Sequence, residues 1–130
     1  MTHPLHWLLL AIAGGCGTLL RAGCTTLAVR LAGNERSWAA EAATLAINVA
    51  GSFAFGVISG LAASRQLMPP AWQPIILAGL LGGFTTYSSF AFQSLALLTG
   101  GRLVTAGCYL AATTALALAA VWAGLRLAGG

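Results

Sequence analysis

Charge is what this chain has least of. Only 6% of its 130 residues are charged, against about 25% in a soluble domain, so charge could not cover a water-facing surface. The chain is therefore expected to be an integral membrane protein with no room for a separate soluble domain. Lysine is absent, and the six basic residues are all arginine. The formal charge of +4 is spread along the chain, which argues against a nucleic-acid-binding patch. Glu35 and Glu41 are the only acids. Both lie near the start of the second apolar stretch, which weighs against a proton-coupled transporter with an intramembrane carboxylate. There is no CxxC and no Cys/His cluster, so metal-ligand spacing is missing. Cys16, Cys24 and Cys108 lie in apolar segments and read as small buried thiols. Cys16 and Cys24 are eight residues apart and able to share a helix face. The N-terminus, Met1 to Trp7, has no basic region before its apolar run, which argues against a cleaved signal peptide. The first span is expected to stay in the mature protein.

What remains is 58% hydrophobic residues, arranged in long apolar stretches. The predicted architecture is all-α: one membrane domain over residues 1–130, with spans at about 6–30, 39–64, 71–98 and 103–127. Each stretch has the roughly 20 apolar residues needed to cross a bilayer core about 30 Å thick.

The third stretch is the informative one. As an unbroken helix it would reach roughly 42 Å at about 1.5 Å per residue. Its centre is the wrong composition for plain spanning. Gly82-Gly83 is followed, after Phe84, by five consecutive hydroxyl residues, Thr85-Thr86-Tyr87-Ser88-Ser89. Five in a row cover every face of a helix, so a regular helix would turn some of them to lipid. Irregular backbone at membrane depth is tolerated where it is buried in protein or lines a wet cavity. Broken helices near the midplane are also where many transporters bind ions. A break near the bilayer midplane is the expectation. The plainer alternative is that the glycines allow close packing and the hydroxyls bond back to carbonyls one turn earlier.

Span one carries Gly14-Gly15-Cys16-Gly17-Thr18-Leu19-Leu20-Arg21. Its small residues permit close approach of another helix. Arg21 lies near mid-span, where a guanidinium costs at least about 2.5–3.5 kcal/mol, so it must find carbonyl or carboxylate partners in the interior or a wet vestibule. A structural-electrostatic role is favoured over direct transport. Span two carries Asn48 and Ser52, four apart and on one face, and a Gly56/Gly60 packing pair. The Asn48 amide is able to donate to an anion, although a lone Asn also serves as interhelical glue. In span four Tyr109 and Thr113 form a short polar track. The next turn gives Ala117, with Thr114 beside the line. Trp38 and Trp122 suit the interfacial aromatic belt. Ala32–Trp38, Arg65–Pro70 and Thr99–Arg102 are the expected loops.

Orientation is informative because the charges do not decide it. With the N-terminus inside, Arg65 and Arg126 fall inside and Arg30, Arg36 and Arg102 outside; Arg21 lies within the span. The positive-inside rule needs a clear excess on one side, and there is almost none. The reading is that the chain inserts both ways up and two opposed copies form a dimer. Such a dimer supplies the inverted symmetry that larger transporters obtain from internal repeats.

Three segments together resemble the CrcB/Fluc family of small bacterial fluoride channels: Gly14 to Arg21, Asn48-Val49-Ala50-Gly51-Ser52-Phe53, and Gly82-Gly83-Phe84-Thr85-Thr86-Tyr87-Ser88-Ser89-Phe90. They fall in spans one, two and three in the family's order, and the third is the most specific. The resemblance implies a dual-topology, antiparallel homodimer in the bacterial plasma membrane, with two fluoride pathways and a central structural sodium ion. It places the sodium on main-chain carbonyls of Gly82 and Thr85. It places the fluoride pathway at Asn48, Tyr87, Ser89, Phe90, Tyr109 and Thr113, and matches Arg21 to the family's span-one arginine. An aromatic edge is the positive part of the ring quadrupole, so Tyr87 and Phe90 are able to face a small anion without trapping it, as conduction requires. The chain departs from the family pattern at Tyr87, where phenylalanine is usual, and at Gln93, where many relatives have an acid. The implied function is passive export of fluoride, with no covalent catalysis. The rival readings are a small multidrug antiporter, which needs a carboxylate that span one lacks, and a non-transporting assembly subunit, for which the Thr85–Ser89 run would tolerate alanine or leucine.

Overall fold

The structure, a computed structural model, describes residues 4–33, 38–64 and 68–129. Four helical segments are long and apolar enough to cross a membrane: Pro4–Ala32, Ala39–Ser64, Ile75–Thr99 and Leu103–Gly129. Helix α1 is Pro4–Ala32 and α2 is Ala39–Ser64. The third span is composite. It begins as a π-helical segment, Ile75–Leu81, passes through one α-turn, α3 (Gly82–Phe84), and resumes as α4 (Tyr87–Thr99). Helix α5 is Leu103–Gly129. The described residues are all helix, turn or irregular, with no strand among them.

The outer surface is apolar. Leu19, Val104 and Leu127 are 73%, 82% and 75% exposed, which water would penalise and lipid does not. The same reasoning corrects the expectation for the cysteines. Cys16, Cys24 and Cys108 are all exposed on the chain rather than buried. With an apolar solvent outside, a small thiol gains little by hiding within the protein.

Small residues set how the spans pack. Gly56 lies against the backbone of Val121 and Leu125, Gly60 against Ala128, and Gly124 against the backbone of Phe53 and Val57. Helices α2 and α5 therefore run parallel and interlock, as the Gly56/Gly60 pair led us to expect. Helix α1 meets the third span in the same manner. Gly14 lies against Gly79 and Gly83, and Gly17 against Leu80 and Phe84. The resulting up-down-up-down order puts Arg30, Trp38, Thr99 and Arg102 at one end, and Trp7, Ser64, Trp72 and Arg126 at the other. A small aromatic and aliphatic core, Phe90, Leu97, Ala106 and Tyr109, ties α4 to α5.

Two boundaries carry information. The third span starts slightly later than its apolar composition suggests, with helical backbone from Gln73 and the π-helical segment from Ile75 rather than 71. The Trp72 amide donates to the Pro69 carbonyl at 2.9 Å in a turn, and Pro74 occupies the position just ahead of the π-helical segment. At the other end Gly101 adopts φ 74°, and the amides of Gly100, Gly101 and Arg102 close back on Ala96, Leu98 and Leu97. That glycine conformation ends the helix tightly and lets α5 begin at once. Of the expected loops, Asn34–Ser37 and Arg65–Leu67, with Glu35, Arg36 and Arg65, lie outside the described residues. So does the start of the chain, through His3.

Candidate functional site

The third span loses its helix at two residues. The Thr85 amide and the Thr85 hydroxyl both donate to the Leu81 carbonyl, at 2.9 and 3.0 Å. Thr85 then turns extended, at φ −79° and ψ 158°. Thr86 follows at φ −149° and ψ 111°, a conformation that β-branched residues favour. The helix restarts because the Thr86 hydroxyl accepts the Ser89 amide at 3.2 Å, an N-cap. The same hydroxyl donates to the Ser89 hydroxyl at 3.0 Å. Part of the plainer reading thus holds, since Thr85 does bond back one turn. Thr86, however, opens a new helix instead of continuing the old one.

Two side chains from other spans hold this interruption. The Asn48 carboxamide grips Thr86 on both sides of its backbone. Its Oδ1 accepts the Thr86 amide at 2.8 Å and its Nδ2 donates to the Thr86 carbonyl at 3.1 Å. Arg21, half-buried on α1, donates from Nε to the Gly83 carbonyl at 3.3 Å. The arginine thus finds the carbonyl partner that its depth demanded.

The consequence for the main chain concerns Gly82 and Thr85. In a continuous helix each carbonyl would accept the amide four residues on. For Gly82 that amide is Thr86, which is bonded to Asn48. For Thr85 it is Ser89, which is bonded to Thr86 Oγ1. Both carbonyls are released from the ladder that would have occupied them. Main-chain oxygens are suitable ligands for a hard cation, so these two residues fit one.

Beside the break runs a row of aromatic rings. Tyr87 and Phe90 meet edge-on at 5.7 Å between centroids and 62° between planes. Phe90 and Tyr109 lie 5.4 Å apart at 59°. Phe90 is buried, whereas Tyr87 is 79% exposed and turned outward. The Tyr109 hydroxyl donates to Gln93 Oε1 at 2.7 Å, so the uncharged Gln93 accepts where an acid would also have accepted. Thr113 is buried, and its hydroxyl has no hydrogen-bond partner among the described residues.

A groove of about 470 Å³ gathers most of these groups. Asn48, Gly82, Thr85, Tyr87, Phe90 and Thr113 all line it. Tyr109 joins the groove only through the Phe90 ring, Ser89 through Thr86, and Arg21 reaches the break from the α1 side. Thr114 and Ala117 are on its wall too, so the polar line on α5 does turn aside at Thr114. Sequence reasoning missed Thr86 as the pivot. A threonine three residues before a serine amide at a helix start is a recognisable cap signal, but the hydroxyl run around it obscured which residue caps.

Fold and site together define a four-span membrane protein built around a clamped main-chain interruption and a largely apolar, aromatic-lined groove with a few polar groups on its wall. The sequence profile described as "CrcB-like protein, Camphor Resistance (CrcB)" matches residues 8–125, and the chain belongs to that family. It is 37% identical over 123 residues to a Methylobacterium nodulans protein, covering 95% of each chain. It is 38% identical over 120 residues to a protein of Rhizobium etli, covering 92% of this chain and 93% of that one. It is 39% identical to one of Rhizobium leguminosarum bv. trifolii, at the same coverage. All three relatives carry the name "Fluoride-specific ion channel FluC".

Proposed function

We propose that this chain is a fluoride channel of the bacterial plasma membrane, passive and not an enzyme. The observation that carries the reading is the Thr85–Thr86 interruption clamped by Asn48 beside the Phe90 ring, in a chain whose relatives are named as fluoride-specific channels. Hydrogen fluoride enters a cell as a neutral acid and dissociates. The anion left inside flows out through the pore, driven by the inside-negative potential. The second N–H of Asn48, the edges of Tyr87 and Phe90, and the hydroxyls of Ser89 and Thr113 offer weak positive contacts along the way, and Tyr109 adds one when its hydroxyl turns from Gln93. Weak contacts suit conduction because the ion must leave again.

The working unit in this reading is an antiparallel homodimer. The large groove is open along one side of the chain, and Tyr87 projects from it. A second, inverted copy covers both and builds two pathways. Sodium is the structural cation, held by the Gly82 and Thr85 carbonyls near the dimer centre, where it fixes the opened backbone in place. Support for this comes from the two released carbonyls and the near-balanced arginine count.

The test is efflux from proteoliposomes loaded with fluoride and read by a fluoride electrode. Potassium and an ionophore clamp the voltage. Release well above that from empty vesicles is expected, and release equal to theirs would refute the channel. Thiol labelling of a cysteine added at the C-terminus in intact cells addresses the pairing. Label reaching the site from both faces of the membrane is expected, and access from one face alone rules out opposed copies.

A further inference from the structure

The end of the bundle where α2 begins carries a second, smaller cleft of about 190 Å³. Its walls are Trp38 and Glu41, Leu97 of α4, and Arg102, Thr105 and Tyr109 at the start of α5. Glu41 sits in the first turn of α2 and is half-buried. Its Oε2 is covered by protein and accepts no hydrogen bond from the described residues. Arg102, across the same cleft, is exposed. Among the described residues, the charged and titratable groups on the cleft wall with Glu41 are Arg102 and Tyr109. Helix α4 presents Leu97 there, and α1 brings Arg30 to the same end of the bundle.

Tyr109 stands between this cleft and the large groove. That side chain is a wall of the small cleft, and its ring lies 5.4 Å from Phe90, a wall of the large one. On α5, Thr105, Tyr109 and Thr113 recur every four residues and so stand on one face. A line of hydroxyls therefore passes from the small cleft, past Tyr109, to the buried Thr113 in the large groove.

We infer that the small cleft is a mouth of the ion path and that Glu41 is its throttle, an acidic side chain that lowers the fluoride concentration over Tyr109 against the attraction of Arg102. The inference rests on the fluoride-channel reading. A charge on the wall of a narrow cleft changes the local concentration of a mobile ion of either sign, because low-dielectric walls focus its field. Glu41 and Arg102 have opposite effects on an anion. The carboxylate is the nearer of the two to full burial, so water screens it less.

Single-channel current in planar bilayers is the measurement, because neutral hydrogen fluoride carries no current. At low ionic strength Glu41→Gln should raise the fluoride current about two- to threefold, less than strongly focused fields produce because Arg102 offsets part of the charge. Glu41→Asp keeps the charge and should stay near the wild-type current, while Arg102→Gln should lower it. The Glu41→Gln effect should shrink when an inert salt shortens the screening length. Equal currents for wild type and Glu41→Gln, or equal elevation in the Gln and Asp variants, overturn the assignment. If Glu41→Gln yields no folded dimer, an Arg102→Gln current equal to that of the wild type overturns it instead. A wild type that passes no fluoride current at all sinks the channel reading itself, which separates the two failures.

Discussion

Asn48 and Thr86, on different spans and 38 positions apart, are joined by a two-point hydrogen bond that satisfies both backbone groups of the threonine. That pairing substitutes for the helix ladder at the place where the ladder stops. Asn48→Ala removes both partners and leaves the amide and carbonyl of Thr86 half-buried and unpaired. Such groups cost about 1–3 kcal/mol each. We expect the variant to lose most fluoride efflux and to melt several degrees lower in detergent. Wild-type efflux together with wild-type melting would show that the clamp is dispensable.

Phe90 separates conduction from folding. It is buried between Tyr87 and Tyr109. Phe90→Ile keeps an apolar side chain of substantial volume, which cores tolerate far better than truncation. The variant should elute as the wild type does yet pass no fluoride. Unchanged flux removes this ring from the pathway.

The glycines of α1 differ sharply from one another. A Cβ at Gly17 would collide with the carbonyl of Leu80 and the amide of Phe84, whereas one at Gly15 would meet nothing. Gly17→Ala should therefore destabilise by about 1–3 kcal/mol, the usual cost of overpacking, and Gly15→Ala should be close to neutral. Aggregation temperature of the two purified variants, compared side by side, checks the contrast. Equal temperatures would mean that α1 shifts freely over the third span.

Sodium dependence tests the released carbonyls. A cation bound only by the folded protein stabilises it, by about 2.7 kcal/mol at a hundredfold excess over its dissociation constant. Purification and assay with N-methylglucamine in place of sodium should lower both the melting temperature and fluoride efflux, and restored sodium should recover them. Insensitivity of both to the exchange argues against the site.

Much of this was readable from composition and periodicity. Span two was expected at 39–64 and is found at Ala39–Ser64. The other spans differ by a few residues, because apolar stretches mark where lipid lies and not where hydrogen bonding begins. Packing through Gly56 and Gly60 followed from spacing alone. The partners of Arg21 and Asn48 did not, since contacts 62 and 38 positions apart leave no local trace. The π-helical run Ile75–Leu81 was equally hidden. Its residues are ordinary helix formers, and only the Gly82 amide, reaching Leu77 as well as Gly79, reveals the wider turn.

That wide turn makes the length of the third span negotiable on one side. A π-helical stretch holds one residue more per loop of hydrogen bonding than an α-helix does. A single deletion between Ile75 and Leu81 can be absorbed by tightening into ordinary α pitch, leaving Gly83 opposite Arg21. A deletion after Thr86 has no such slack, and it would rotate Phe90 away from Tyr109. Expression and efflux of one-residue deletions scanned along the span should therefore fall abruptly at the threonine pair. An even decline from end to end would show that the slack is not there.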